Sequence, residues 1–467
     1  MIYIFFAIWV ALAGATLFAR DKRYVKALCG VYILSHVGFA ATLFAGGWWG
    51  ATSGTLFTFD EAGVLFYLLM AVVAIYVLIH SEEYLGEDSI VGYRQYFSLL
   101  MLLIAAITGV YFANNIAVTW ILLEATTLCS AGIIYYRHTE DALEATWKYL
   151  FVCSTGIAIA YLGILLLSAA ADNTSLNYTQ MRELIGEANP LYLKVAFLLI
   201  LTGYSCKMEI FPLYTIGVDA NFAAPAPASA LISTGLVNAG FLAIFRIYSL
   251  YAATPVFGWV QSVMVIIGVM SLAVGALFLR RTNNYKRFLS YSTVENMGIV
   301  AIGLGIGGAG VWAAIFHTVC HTFIKSSLFL QIAVVRQIYN GYRINRIGDY
   351  ININKVGAIG LLAGMVAVLA FPPSPLFISE LKILMQTVLD GDLWLTIAIT
   401  VIMCIVIYSV CQRFVKLCYQ SNQDELHLKR VDRRLSYSAL SLLVVALVVG
   451  LWQPEFLLNL IDKIATL

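Results

Sequence analysis

Charge is what this chain has least of. Only 12% of its 467 residues are Asp, Glu, Lys or Arg, 61% are apolar, and the mean hydropathy is +0.86. No soluble globular composition carries that balance, so the chain belongs in lipid as a polytopic membrane protein. The net charge is only +2 and the basic residues lie between hydrophobic runs, which leaves no basic face for nucleic acid. Eight cysteines are scattered without a CxxC pair, so zinc and iron–sulfur sites are excluded and small packing residues are expected. Cys404, Cys411 and Cys418 recur every seven residues and read as a small-residue seam between helices. The first apolar stretch, 2–19, lacks a preceding basic region and a cleavage site, and reads as a retained helix. No connector is long enough for a soluble domain; the longest, 172–189, has room for a short surface helix.

What remains is hydrophobic runs. Stretches of about 17 to 25 apolar residues bounded by charge or turn signals predict about fourteen spans. They fall at 2–19, 26–46, 63–80, 96–113, 116–136, 149–171, 190–217, 227–251, 255–279, 288–307, 311–335, 355–386, 393–415 and 435–453. Connectors after odd-numbered spans hold the basic clusters: Arg20, Lys22, Arg23 and Lys26; Arg94; Arg137 and Lys148; Arg280, Arg281, Lys286 and Arg287; Arg336, Arg343, Arg346 and Lys355; Arg413, Lys416, Lys429, Arg430, Arg433 and Arg434. Connectors after even-numbered spans hold only Arg182 and Lys194. Positive charge stays on the cytoplasmic side, so both termini are expected outside a prokaryotic cytoplasmic (inner) membrane.

Two spans are overlong and interrupted by proline. The seventh contains Thr202-Gly-Tyr-Ser-Cys-Lys-Met-Glu-Ile-Phe-Pro-Leu-Tyr, and the twelfth Ala370-Phe-Pro-Pro-Ser-Pro-Leu-Phe-Ile-Ser-Glu. Pro212 and the Pro372, Pro373, Pro375 group remove backbone donors and should break both helices. Broken helices five spans apart point to two inverted five-helix repeats, spans four to eight and nine to thirteen, with freed backbone lining a polar cavity. The expected architecture is therefore all-α. It divides into 1–95 (helices 1–3), 96–252 (first repeat), 253–418 (second repeat) and 419–467 (helix 14).

The few ionisable residues inside these spans carry the functional argument, because each costs about 3 kcal/mol to insert. Lys207 and Lys325 stand in apolar stretches, and Glu124 and Glu380 accompany them, so both charge signs recur along the chain. His317, His321 and Lys325 repeat at i, i+4 and i+8 and stack on one helix face about 6 Å apart, as a proton relay would. Two histidines on one face cannot be opposed haem ligands. An ammonium beside a carboxylate keeps its proton, and withdrawal of that negative charge frees it, so alternating Lys and Glu would pass protons by coupled titration. The bland reading of each lysine is a structural ion pair. Asp219 either caps the next segment or shapes proton uptake. Glu295 either serves the path or pairs with basic residues near Lys286, and Glu209, two residues from Lys207, points off its face. Ser233, Asn238 and Lys382 are accessory candidates, and His36 reads as a hydrogen-bonded packing residue.

Together these segments resemble the antiporter-like subunit family of respiratory complex I, Mrp-type cation/proton antiporters and membrane-bound group 4 nickel–iron hydrogenases. The resemblance rests on Leu122-Leu-Glu-Ala-Thr-Thr-Leu, the Lys207 segment continuing to Asp219-Ala and Ala224-Pro-Ala-Pro-Ala-Ser-Ala-Leu-Ile, Lys286-Arg-Phe-Leu-Ser-Tyr-Ser-Thr and Phe316-His-Thr-Val-Cys-His-Thr-Phe-Ile-Lys-Ser-Ser-Leu-Phe-Leu. It implies a central hydrophilic axis of Glu124, Lys207, Lys325 with its histidines, and Glu380. Ala145-Thr-Trp-Lys-Tyr-Leu, Tyr291-Ser-Thr-Val-Glu-Asn-Met-Gly and Pro372-Pro-Ser-Pro-Leu-Phe are most similar to the hydrogenase branch. Three departures stand out. The eighth helix offers Ser233 and Asn238 where relatives carry histidine or lysine, Tyr214-Thr-Ile-Gly-Val-Asp lacks the usual histidine and tryptophan, and no long lateral helix follows span fourteen.

The expected function is proton translocation, with sodium exchange as a variant, by a subunit of a redox-driven complex. Its partners would be lipid, other antiporter-like subunits and a redox module, and the chain itself would hold no cofactor. A stand-alone or Mrp-type sodium/proton antiporter and a quinone- or haem-binding redox subunit are the alternatives.

Overall fold

The structure is a computed structural model that describes residues 2–45, 52–53, 56–172, 175–420 and 433–466. Lipid offers backbone groups no partners, so a spanning chain satisfies them within helices. This one does so as α1 (Ile2–Leu17), α2 (Lys22–Ala45), α3 (Glu61–Tyr84), α4 (Ile90–Phe112), α5 (Ile116–Ile134), α6 (Glu140–Ala170), α7 (Tyr178–Leu184), α8 (Pro190–Met208), α9 (Thr215–Ala223), α10 (Ala226–Leu231), α11 (Val237–Tyr251), α12 (Phe257–Arg281), α13 (Tyr285–Ile306), α14 (Ala309–Tyr339), α15 (Tyr350–Ile353), α16 (Lys355–Val368), α17 (Pro375–Leu389), α18 (Leu393–Tyr419), α19 (Arg433–Trp452) and α20 (Glu455–Ala465). A π-turn, Ile232–Leu236, joins α10 to α11 in one continuous rod. A two-residue hairpin, Thr52–Ser53 with Phe57–Thr58, is the one exception to the all-α pattern among the described residues.

Helix starts follow local chemistry. Asp60, Ser89, Asn115, Thr139, Asn284 and Ser374 each accept a hydrogen bond from a first-turn N–H of the helix they precede. Asn189 does the same for α8, with Pro190 at its first position. Several helices outrun the expected apolar cores: α4 begins at Ile90 rather than 96, and α6 at Glu140 rather than 149. The helical backbone continues past the apolar run because polar first turns are capped rather than broken.

Eleven helices among the described residues are long and apolar enough to cross a membrane. The other three expected spans coincide with the short α1, with α13, and with the α16–α17 pair. Odd-numbered connectors meet one another: Lys22 Nζ donates to Gly86 O (2.7 Å), Tyr136 to Asp88 (2.8 Å), Arg336 to Tyr84 (2.7 Å), and Arg413 to Arg280 O (2.8 Å). Even-numbered ones do likewise at the other end, where Asn114 N donates to Leu56 O, Ile116 N to Leu176 O, and Lys194 lies over Trp259. The alternation read from charge thus matches the fold; Lys429 and Arg430 lie outside the described residues.

Both expected breaks are present. Helix α8 stops at Met208, Glu209 turns left-handed (φ 57°), and Phe211–Pro212 is cis before α9. Helix α16 stops at Val368, Ala370 is left-handed (φ 51°), Pro372–Pro373 is cis, and Ser374 starts α17. The interior consists of α14 and the Ala226–Tyr251 rod, whose apolar stretches are wholly enclosed by protein, whereas α2, α12 and α18 turn most of theirs outward. Helix α20, which the hydropathy pattern did not anticipate, lays Leu457, Leu460, Ile461 and Ile464 against α3 and α14.

The cysteine seam is corrected. Cys404 and Cys411 are exposed, and only Cys418 is buried, because α18 turns its Val406, Ser409, Val410 and Phe414 face inward instead. A seven-residue spacing marks one helical stripe without saying which way it points. His36 stacks on Trp9 with ring centroids 4.1 Å apart and meets the Tyr67 hydroxyl at 3.3 Å.

Candidate functional site

The ionisable residues singled out in the sequence line up across the bundle from α5 to α17. On α5, Glu124 is half-buried and accepts from Ser154 Oγ of α6 at 2.7 Å and from Thr127 Oγ1 at 3.3 Å. Thr127, one turn further on, also accepts from Lys207 Nζ at 2.8 Å. Lys207 sits in the last turn of α8, 1% exposed, and its ammonium also reaches the Tyr149 hydroxyl of α6 at 3.3 Å. Lys207 is placed there because the Pro212 break ends α8 in mid-bundle rather than at a surface. Gly240, without a Cβ, lets α11 lie directly on the Lys207–Met208 peptide.

A direct Lys207–Glu124 ion pair, as alternating charge implied, is therefore not what the fold builds. One hydroxyl stands between the two groups, and among the described residues neither Lys207 nor Lys325 has a carboxylate within 4 Å. The bland ion-pair reading of both lysines fails on the same geometry.

Beyond Lys207, α11 supplies hydroxyls and an amide to its neighbours. Ser233 shares a hydrogen bond with Thr293 of α13 (2.7 Å), Thr234 with Ser326 of α14 (3.3 Å), and Asn238 donates to Thr322 of α14 (2.8 Å). Lys325 Nζ, fully buried, donates to Leu289 O at 2.8 Å, and Thr293 donates to the same carbonyl at 3.3 Å. Lys325 is thus joined to Ser233 through α13.

Along α14 the predicted stack is present. His321 and His317 are fully buried with ring centroids 6.4 Å apart and planes 20° from parallel. Their surroundings differ. His317 is held at both nitrogens, Nδ1 to Ser379 Oγ of α17 (2.9 Å) and Nε2 to Asn296 Oδ1 of α13 (3.1 Å), whereas neither nitrogen of His321 has a protein partner. Asn296 Nδ2 in turn donates to Glu295 Oε2. Glu295 and Glu380, 3% and 5% exposed, both line a small cavity of about 10 Å³ between α13, α17 and α18. Of the two readings of Glu295, the contacts favour the row; they do not join it to the basic residues near Lys286.

Asp219 caps no helix. It pairs with Arg287 at 3.1 Å in an open cavity of about 560 Å³ on the face of the odd-numbered connectors, which Lys148, Arg281 and Arg343 also line. Lys382 lies apart from the row, near the opposite face: its Nζ is 3.3 Å from the centre of the Trp312 ring, and Trp312 donates to Asp462 of α20 at 2.7 Å.

Several buried polar groups hold positions that the sequence does not show. Arg246, in an apolar run, pairs with Asp60 (2.9 Å) and donates to the carbonyls of Val110, Tyr111 and Ala113. Lys286 is fully buried and donates to Phe222 O and Ala224 O at the end of α9. Glu209 is 2% exposed and accepts from Asn221 Nδ2 at 2.9 Å; the same-face argument does not apply to it because the helix ends one residue earlier. Arg246 satisfies the rule that flags Lys207, Glu209 is already visible as an acid in the seventh span, and the burial of Lys286 carries no signal without the fold.

Among proteins of known sequence, the hydrogenase-4 component F homolog of Methylacidiphilum infernorum is 29% identical over 344 residues, 71% of this chain and 72% of that one. Among solved structures, a chain of the membrane-bound sulfane sulfur reductase, an archaeal respiratory membrane complex, superposes with a TM-score of 0.85 at 22% identity, covering 99% of this chain and 97% of that one. A chain of respiratory complex I from Thermus thermophilus superposes at 0.81 and 19% identity, covering 98% of each. Both likenesses establish the fold. Residues 113–406 match the family described as NADH:quinone oxidoreductase/Mrp antiporter, TM. That stretch runs from the α5 cap through the whole buried row into α18, and the chain belongs to this family of antiporter-like membrane subunits.

Proposed function

We propose that this chain conducts protons through the membrane interior as a non-redox subunit of a larger, redox-driven complex. The observation that carries the reading is the row itself: Glu124, Thr127, Lys207, the hydroxyls of the α10–α11 rod, Lys325, His321, His317, Glu295 and Glu380 are distributed over six helices, α5, α8, the rod, α14, α13 and α17. Buried ionisable groups are costly, and apolar residues would hold the same helices at lower cost. A row of them that makes no direct ion pair is poorly explained as scaffolding. Each group's charge sets the readiness of the next to take or release a proton, so a change at one end is passed along.

The finer architecture goes with this reading. Fourteen crossings, two inverted repeats (96–252 and 253–418) flanked by 1–95 and 419–467, and both termini outside a cytoplasmic membrane are supported by the alternating faces of the connectors and by the two similar breaks at Glu209 and Ala370. Proton uptake is assigned to the open cavity at Asp219 and Arg287. Oxidation and reduction belong to partner subunits, and this chain holds no cofactor of its own. The hydrogenase-4 relative favours a hydrogenase-type partner over a stand-alone antiporter.

The test is proton pumping by the native complex in proteoliposomes. Lys207→Ala and Lys325→Ala should each assemble and abolish pumping while redox turnover persists. Full pumping in both variants refutes the reading.

A further inference from the structure

Between Lys207 and Lys325 the row has a weak link, because the rod of α10, the π-turn and α11 offers no ionisable residue from Ala226 to Phe245, only Ser229, Ser233, Thr234 and Asn238. We propose that Glu209 fills this gap as a proton-carrying carboxylate lying between the two lysines. The inference rests on the proton-conducting reading above and adds to it a residue at the break of α8.

Four observations carry it. Glu209 occupies the residue after α8 with φ 57°, and its own N–H closes the turn on Ser205 O, so the side chain has no part in capping. Glycine or asparagine fits that backbone at lower cost. Its carboxylate is nonetheless buried, with Oε1 taking the Asn221 amide and Oε2 lacking any protein partner. Space is reserved for it: Gly217 on α9 faces the Glu209 side chain, and a Cβ there would overlap its Cγ, Cδ and Oε1. Finally, Glu209 interacts electrostatically with Lys325, as Glu295 also does.

Around Glu209 stand Asn221 and Gly217 from α9, Cys153 from α6 and Lys325 from α14; Lys207 lies two residues back along α8. Asn221, whose amide Glu209 accepts, also has an unpartnered Oδ1, as Glu209 has an unpartnered Oε2. Polar atoms so buried are costly when left unpaired. Internal water is the partner that also carries protons between two lysines and a carboxylate. The transfer balances without a co-reactant: the carboxylate accepts a proton from the ammonium on one side and gives it up to the amine on the other.

The experiment compares Glu209→Gln, Glu209→Asp, Gly217→Ala and Lys325→Ala in the intact complex, reading proton pumping and redox turnover, with infrared difference spectra across a pH step. Glu209→Gln should cut pumping at least roughly tenfold and remove one carboxyl band from the infrared spectrum. Glu209→Asp should recover part of both, and Gly217→Ala, which keeps the carboxylate but takes its space, should slow pumping and shift that band. Wild-type pumping in Glu209→Gln with Lys325→Ala inactive overturns the role of Glu209 alone. Wild-type pumping in both overturns the conducting reading as well. If Glu209→Gln does not assemble, Gly217→Ala decides: wild-type pumping and an unshifted carboxyl spectrum in it overturn the proposal.

Discussion

Replacing Thr127 by valine tests the row at its most specific joint. Thr127 Oγ1 takes the Lys207 ammonium at 2.8 Å and gives its own proton toward Glu124 at 3.3 Å, so one hydroxyl links a base and an acid that never touch. Valine keeps the branched shape but deletes both bonds. Lys207 then retains only the longer contact to Tyr149 (3.3 Å), while Glu124 keeps Ser154 (2.7 Å). A hydrogen bond to a charged group contributes about 1.5–3 kcal/mol. If that bond lies on the transfer route, the loss slows proton passage roughly ten- to hundredfold. Thr127 is wholly buried, so bulk water does not replace it. The assay is pumping by the complex in proteoliposomes, normalised to redox turnover and to the amount assembled. Thr127→Val pumping at the wild-type ratio would show that protons do not cross between Glu124 and Lys207, and the α5 end of the row would have to be abandoned.

Three further substitutions separate conduction from scaffolding. His321, with no protein partner, should tolerate replacement by alanine with little change in thermal stability and a large loss of pumping, whereas His317→Ala strands Ser379 and Asn296 and should also destabilise by about 1–3 kcal/mol; equal melting temperatures for the two variants would contradict this division. Arg246→Ala leaves Asp60 and the carbonyls at the end of α4 without their donor. Because Asp60 is about one-third exposed, the cost falls at the low end of about 3–5 kcal/mol, seen as reduced assembly with normal pumping per assembled complex; normal assembly with lost pumping would instead bring Arg246 into the path.

How far the sequence carries depends on what fixes each feature. Lys207, Lys325, Glu124 and Glu380 are legible because a charge in an apolar run is costly wherever the run packs. The His317, His321 and Lys325 stack is legible because helical periodicity is local. The breaks at Pro212 and Pro372 are legible from proline chemistry alone. What stays hidden depends on contacts between distant segments. Thr127 looks like any buried threonine until α8 ends beside it, 80 residues later. Lys286 reads as a connector charge, yet Asn284 starts α13 early enough to bury it under the end of α9. For Glu209 the same-face rule does not apply, because it assumes a helix that continues and the Pro212 break ends α8 one residue earlier.

The hydroxyl between Lys207 and Glu124 also bears on why the row contains so few contacts between opposite charges. The 2.8 and 3.3 Å legs through Thr127 put the ammonium nitrogen at most about 6 Å from the carboxylate oxygen. At an effective dielectric constant of about 20, that separation leaves roughly 3 kcal/mol of interaction, against roughly 6 at a direct contact of about 2.8 Å. A contact pair would add charge-assisted hydrogen bonds to the larger attraction and hold the proton on the lysine. With a hydroxyl interposed, the two groups still sense each other by an amount comparable to what a second neighbour can supply or withdraw. Lys325 meets the same condition differently: it donates to a backbone carbonyl while two carboxylates, Glu209 and Glu295, both act on it. A proton held by interactions of that size can be moved by a change of one charge nearby, which is the property a row of coupled sites needs and a set of tight ion pairs lacks.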